Sequence, residues 1–109
     1  MHAELSGARV LTTDLVLTEV LNSYAESATW LRAGAAEFVA DLLSDRAIII
    51  ERLTPDSFDA ALRLYSECPD KGWSLTDCHS FRLMQRNSID SALTADRHFE
   101  QAGFKALLR

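Results

Sequence analysis

The sequence predicts an α/β fold in which short strands alternate with longer helices. Short β-branched segments alternate with segments whose apolar residues recur at three- and four-residue steps. The chain of 109 residues has the length of one domain and contains no linker rich in Pro or Gly. Because each parallel crossover needs a dozen or more residues, this order predicts a mainly parallel sheet with helices on both faces, a three-layer α/β/α sandwich in residues 1–109.

The first half of the chain is expected to contain two strands and two helices. The apolar positions Leu17 and Leu21 indicate a helix. Thr13 or Asp14, just before them, supplies the side-chain oxygen that caps its first turn. The predicted elements are a strand over Arg9–Thr13, a helix from Asp14 that ends before Thr29, a helix over Arg32–Ser44 and a strand over Ala47–Leu53.

The second half begins with a helix that Thr54 caps and in which Pro55 takes the first position, where its missing N–H costs nothing. Pro69 and Gly72 then break that helix. The elements predicted after the break are a helix over Ser74–Asn87, a strand over Ser91–Thr94, a helical turn over Asp96–Gln101 and a strand over Phe104–Leu108.

The charge and the apolar runs exclude several classes of protein. Eleven Lys and Arg against sixteen Asp and Glu give a net charge of −5, so any nucleic-acid binding must come from a local site. The apolar runs are a few residues long, and a membrane span needs about 18. The first residues lack a secretory signal, which predicts a cytoplasmic location and reduced thiols at Cys68 and Cys78.

Three acidic residues follow predicted strands or lie in the helices after them, where parallel sheets bind ligands. They are Glu19, Asp77 and Asp96. Carboxylates suit Mg²⁺ or Mn²⁺, which would activate water for attack on a phosphate. Each acid also has a structural interpretation: Asp77 forms a capping box with Ser74, Asp96 caps a helix, and Glu19 is a solvated helix residue. The spacing leaves both interpretations open.

Three segments stand out as motifs: Thr12–Asn22, Trp73–Phe81 and Ala92–Phe104. They resemble motifs of the PIN-domain ribonucleases, above all the VapC-type toxins. The segments occur in the order and at the approximate spacing of that family, and together they span nearly the whole chain. The last two are quite specific, whereas the first alone is a weak signal.

The resemblance implies a function. It makes Glu19, Asp77 and Asp96 three of the family's acids that bind Mg²⁺ or Mn²⁺, with Thr94 a polar residue beside the fourth acid. It implies an endoribonuclease in which water attacks an RNA phosphodiester. It further implies a cognate antitoxin that inhibits the protein, and a homodimer.

The sequence departs from the family pattern at its beginning. The family opens with a strand that ends in an Asp, and this chain starts at what resembles the end of the following crossover, so about 30 residues of a βα unit have no counterpart. Asp14 is either a helix cap or a replacement ligand. The departure motivates an alternative function, in which the chain is an inactive PIN-like remnant that serves as a protein-interaction module.

Basic side chains near the acids are candidates for phosphate binding. Arg82 and Arg86 lie one turn apart on the helix that carries Asp77, and Arg97 and His98 follow Asp96. The alternative for these residues is a solvated helix face.

Three further possibilities are zinc binding, a cysteine nucleophile and the stacking of a base on a tryptophan. Zinc is rejected because neither C-x-x-C nor H-x₃-H spacing occurs. Cys78 is assigned to the core, because its neighbour His79 points in a different direction and cannot easily activate its thiol. Trp73 is either a packing residue or a platform for a base.

Overall fold

The described part of the chain contains four strands and five helices in two compact units. The computed structural model describes residues 10–109; one unit extends to Leu53 and the other runs from Thr54 to Arg109. Each unit contains a two-stranded parallel sheet. The predicted α/β class and parallel strand pairing are therefore confirmed, while the assignment of residues 1–109 to one domain stays a prediction.

The first unit has the order strand, helix, helix, strand. Its elements are β1 (Val10–Thr13), α1 (Asp14–Ser23), α2 (Thr29–Ser44) and β2 (Ile48–Glu51). The two strands pair in parallel, with Val10 opposite Ile48 and Thr13 opposite Glu51. The prediction of the first strand included Arg9, which lies outside the described residues.

The start of α1 joins the two strands of this unit. Thr13 is the N-cap, and its hydroxyl oxygen accepts a hydrogen bond from the Val16 amide at 3.1 Å. Both carboxylate oxygens of Asp14 lie 3.1 Å from the backbone nitrogen of Leu53, just after β2. Asp14 therefore has a structural role between the two strand ends, although the cap itself is Thr13.

The second unit is richer in helix. Its elements are α3 (Pro55–Glu67), α4 (Leu75–Arg86), β3 (Ser91–Ala92), α5 (Arg97–Gln101) and β4 (Lys105–Ala106). Thr54 and Ser57 form a capping box at the start of α3, and Gly72, with φ of 71°, lies in the turn before α4. Strands β3 and β4 pair in parallel, with Ser91 opposite Lys105.

Several predicted boundaries differ from the structure, among them those of α2, β3 and β4. α2 begins at Thr29 rather than Arg32, and its N-cap, Ala28, has no side-chain acceptor that would have marked the start. β3 ends at Ala92 because the Thr94 amide turns back to donate to the carbonyl of Ala92 at 3.0 Å. β4 is likewise shorter than predicted, covering only Lys105–Ala106.

The core of the second unit is centred on the ring of Phe81, which is fully buried on α4. Trp73 and Phe99 each meet this ring edge to face, with ring centroids 4.9 Å away, and Phe104 lies at 5.7 Å. Phe99 belongs to α5 and Phe104 directly precedes β4. One buried ring therefore fixes α4 against the segment that carries α5.

None of the helices within residues 10–109 combines the length and the apolarity that a membrane crossing requires. The cytoplasmic location stays a prediction.

The aromatic cluster predicts a large loss of stability on truncation. Phe81→Ala removes a fully buried ring and is expected to lower the free energy of unfolding by about 3–5 kcal/mol in urea denaturation. Phe38→Ala on α2 is the matched control, because that ring is 55% exposed, and its cost is expected to stay below about 1 kcal/mol. Equal losses in both variants would show that Phe81 is not central to packing.

Candidate metal centre

Asp77 lies at the start of α4 and its side chain takes part in the helix cap. The Asp77 amide donates to the Ser74 hydroxyl oxygen at 3.0 Å, and the Ser74 amide donates to Oδ2 of Asp77 at 3.1 Å. The side chain is 16% exposed. The structural interpretation of Asp77 as half of a capping box is thus confirmed, and the cap fixes the direction of its carboxylate.

Asp96 has the corresponding position at the start of α5. As N-cap, its Oδ1 accepts a hydrogen bond from the His98 amide at 2.9 Å. The Asp96 amide in turn donates to the hydroxyl oxygen of Thr94 at 3.1 Å, so Thr94 helps to orient Asp96. Asp96 therefore caps a helix, as its alternative interpretation proposed, while its carboxylate stays 43% exposed.

The two acids meet at the imidazole of His98. Its Nδ1 lies 3.2 Å from Oδ2 of Asp77 and 3.5 Å from Oδ1 of Asp96. One ligand atom from each of the three residues lies within 4.8 Å of the other two. The contacts of Phe81 with Phe99 explain this meeting, since they hold α4 beside α5.

The chemistry and spacing of these three side chains fit a divalent cation. An octahedral ion with bonds of about 2.1 Å spaces its ligands about 3–4 Å apart, and one ligand atom from each of the three side chains lies within 4.8 Å of the other two. Carboxylate oxygens suit Mg²⁺ and Mn²⁺, and an imidazole shifts the preference toward transition metals. Within residues 10–109, neither Oδ1 of Asp77 nor Oδ2 of Asp96 accepts a hydrogen bond, so each acid keeps an oxygen for a ligand.

Glu19 lies on α1 in the first unit, and its side chain is exposed. The cluster of Asp77, Asp96 and His98 belongs to the second unit. The structure thus brings together two of the three acids selected from the sequence, and the role of Glu19 as a ligand stays a prediction.

His98 is the member of this cluster that the sequence did not identify as a ligand. The sequence predicts for it, as for the arginines, a role in phosphate binding. The sequence signal for His98 is its position two residues after the helix cap Asp96. At this position its backbone amide donates a hydrogen bond to the Asp96 carboxylate. The distance to Asp77 depends on the packing of α4 against α5 and has no signal in local spacing.

The predicted phosphate-binding arginines lie in two places. Arg97 is exposed at the first position of α5, directly after Asp96. Arg82 and Arg86 lie five and nine residues after Asp77 on α4, so at about 100° per residue they project from the side of α4 away from Asp77. They line a cleft with residues of α3 instead. Their role in binding substrate stays a prediction.

Cys78 is a core residue rather than a nucleophile. Its side chain is completely buried, and burial raises the pKa of the thiol, an effect that the neighbouring charge of Asp77 increases. The thiol is therefore protonated at neutral pH. Cys68 and Cys78 are both free, and the group of possible metal ligands found within residues 10–109 contains no cysteine.

Comparison with known proteins connects this geometry to a family. The sequence model of the PIN domain matches residues 2–105. The chain belongs to the PIN domain family. Among solved structures, the chain is similar to VapC20 of Mycobacterium tuberculosis, a toxin that cleaves the sarcin-ricin loop, with a TM-score of 0.78 and 25% identity. That match covers 89% of this chain and 72% of VapC20. The chain matches none of the curated proteins.

These matches confirm the resemblance that the three sequence motifs indicated. The PIN fold and the likeness to a VapC toxin were both expected from Thr12–Asn22, Trp73–Phe81 and Ala92–Phe104. The last two of these segments contain the three residues of the cluster.

The burial of Cys78 predicts a difference between the two thiols. In the native protein at pH 8, a thiol reagent such as dithionitrobenzoate is expected to modify Cys68, which is partly exposed, while Cys78 stays unmodified. Both thiols should react once urea unfolds the chain. Rapid modification of Cys78 in the native protein, located by mass spectrometry, would contradict the burial and the raised thiol pKa.

Proposed function

We propose that this protein is a toxin-type endoribonuclease that hydrolyses RNA phosphodiesters with Mg²⁺ or Mn²⁺ held by Asp77, Asp96 and Glu19. The observation that carries the proposal is the meeting of Asp77, Asp96 and His98 within 4.8 Å in a chain of the PIN domain family. The likeness to VapC20, which cleaves the sarcin-ricin loop, supports a nucleic-acid target of this kind.

The residues of the cluster divide the work between them. Asp77 and Asp96 bind the cation through the oxygens that their helix caps leave available, and the caps prevent the carboxylates from rotating away. His98, in contact with both acids, supplies a third donor. A bound divalent ion supplies a coordinated water of lowered pKa and neutralises charge on the phosphate.

The substrate contacts that we propose come from side chains around the acids. Arg97 directly follows Asp96 and is exposed, so its guanidinium group can bind a phosphate of the RNA. Thr94 orients Asp96 through its hydroxyl and adds a polar group beside the cation. Arg82 and Arg86 would contact the RNA on the other side of α4.

A cognate antitoxin and a second copy of the chain are the proposed protein partners. Both follow from the resemblance to VapC-type toxins. Large apolar side chains that are exposed on α2 support a protein partner, because Trp30 is 73% exposed and Phe38 is 55% exposed.

The alternative, an inactive PIN-like chain that serves only as an interaction module, has a different physical consequence. Such a chain has no need of a cation, so it is expected to bind Mn²⁺ no more tightly than any acidic surface does. Metal binding therefore separates the two functions before an RNA substrate is known.

The nuclease proposal predicts that three substitutions remove both metal binding and cleavage. Asp77→Asn and Asp96→Asn keep the size of the side chain and an oxygen for the helix cap, but remove the charge, so folding is preserved. In calorimetric titration with Mn²⁺ and in cleavage of a structured RNA, each is expected to lose at least about 90% of the response, as is Glu19→Gln. EDTA should abolish cleavage by the unaltered protein.

Asp70→Asn is the control for these substitutions. Asp70 is exposed in the turn before α4, outside the cluster, and has the same charge. Its variant should bind Mn²⁺ and cleave RNA as the unaltered protein does. Cleavage that persists in Asp77→Asn or in the presence of EDTA would refute the assignment. A chain that binds no Mn²⁺ at millimolar concentration would favour the interaction module.

The contacts of His98 predict a second, metal-specific effect. His98→Gln removes the imidazole nitrogen and is expected to weaken Mn²⁺ binding about tenfold or more. The loss for Mg²⁺ should be smaller, because Mg²⁺ prefers oxygen ligands. Calorimetry with both ions measures the two affinities separately. Equal affinity for Mn²⁺ before and after the substitution would remove His98 from the site.

A further inference from the structure

A basic cleft lies between α3 and α4 in the second unit. Its volume is about 500 Å³, and three of the side chains that line it are arginines: Arg63 from α3, and Arg82 and Arg86 from α4. Pockets of a few hundred cubic ångströms accommodate small ligands or single groups of larger ones. None of Asp77, Asp96 and His98 lines this cleft, so it is separate from the metal centre.

The positive charge of the cleft is only partly neutralised. Arg82 has a loose ion pair with Glu67, at 3.8 Å, and donates a hydrogen bond to Gln85. Arg63 has no ion-pair partner within residues 10–109. Asp56 is the one acidic residue in the lining. The lining thus contains three guanidinium groups and one carboxylate, and Glu67 lies beside Arg82, in a chain of net charge −5.

Guanidinium groups that share a small cleft repel one another, and a bound anion relieves this repulsion. Guanidinium groups bind planar or tetrahedral oxyanions through paired N–H donors, so phosphate is the ligand that this donor set suits best. The packing of α3 against α4 supplies donors from two sides. Arg63 faces the cleft from α3, and Arg82 from α4.

We propose that the α3–α4 cleft binds a phosphate group, and that the phosphate belongs to the backbone of the RNA substrate. The assignment of the phosphate to RNA rests on the proposed function, whereas the assignment of a phosphate site to the cleft does not. The strand would contact the protein on both sides of α4, at the metal centre beside Asp77 and at Arg63 and Arg82 in the cleft. The cleft would position RNA without taking part in the reaction.

The salt dependence of RNA binding tests this site without cleavage. Binding of a labelled single-stranded RNA is followed by fluorescence anisotropy between 50 and 200 mM salt. EDTA is present throughout, so the acidic cluster holds no divalent ion that would attract phosphate. Arg63→Gln is expected to weaken binding about threefold to tenfold and to reduce the slope of log K against log salt by about 0.7, the value for one lost phosphate contact on a single strand. Arg82→Gln should have a similar effect.

Arg46→Gln is the matched control. Arg46 is an exposed arginine in the first unit, between α2 and β2, so this variant loses the same charge elsewhere. Its slope should equal that of the unaltered protein, and circular dichroism should show that all three variants are folded. Equal losses of RNA affinity in Arg46→Gln and Arg63→Gln would show that RNA is attracted by the general charge of the protein, which would overturn the site. Unchanged salt slopes in both Arg63→Gln and Arg82→Gln would overturn it as well.

A second arm identifies the source of the phosphate. Amide NMR signals of Ala60 and Leu83, which line the cleft, are followed during titration with RNA and with inorganic phosphate. Shifts with RNA that Arg63→Gln abolishes support the proposal. Shifts with inorganic phosphate alone would overturn the assignment to RNA. Because no cleavage is measured, a protein that fails to cleave RNA with Mn²⁺ but shows these shifts would refute the proposed function and leave the cleft in place.

Discussion

The burial of Phe81 is the constraint on which the candidate site depends. Phe81 lies one helical turn after Asp77 on α4, and its fully buried ring contacts Phe99 on α5. Asp96 and His98 lie at the start of that same short helix. A five-residue helix has little stability of its own, so its position relative to α4 comes from this aromatic packing rather than from helix propensity. The spacing of the polar groups is thus set by an apolar contact.

Helix capping and cation binding use the same acids without conflict. Asp77 and Asp96 each direct one oxygen at backbone N–H groups at a helix start, and each keeps its other oxygen for a ligand. The caps also hold the two carboxylates in fixed directions, which lowers the entropy lost when they bind an ion. The imidazole of His98 contacts both acids, so all three side chains lie at the same place on the surface of this unit.

Local chemistry made most of the helix starts predictable, and tertiary contacts account for what the sequence did not predict. The starts of α1, α3 and α4 follow from side-chain caps at Thr13, Thr54 and Ser74, whereas α2 begins after Ala28, which offers none. Motif and position indicate Asp77 and Asp96 as ligands. The sequence does not identify His98 as a ligand, because its distance to Asp77 depends on packing between residues 21 positions apart.

The most direct test of the account is where Mn²⁺ binds, since a bound paramagnetic ion broadens the NMR signals of nearby nuclei. Substoichiometric Mn²⁺ is predicted to broaden first the imidazole signals of His98 and the amides of Asp77 and Asp96, and Mg²⁺ in excess should reverse the effect. The imidazole of His79, buried on α4, should broaden later. Broadening that begins at other acids, or affects all signals equally, would contradict the claim that these helix starts form one cation site.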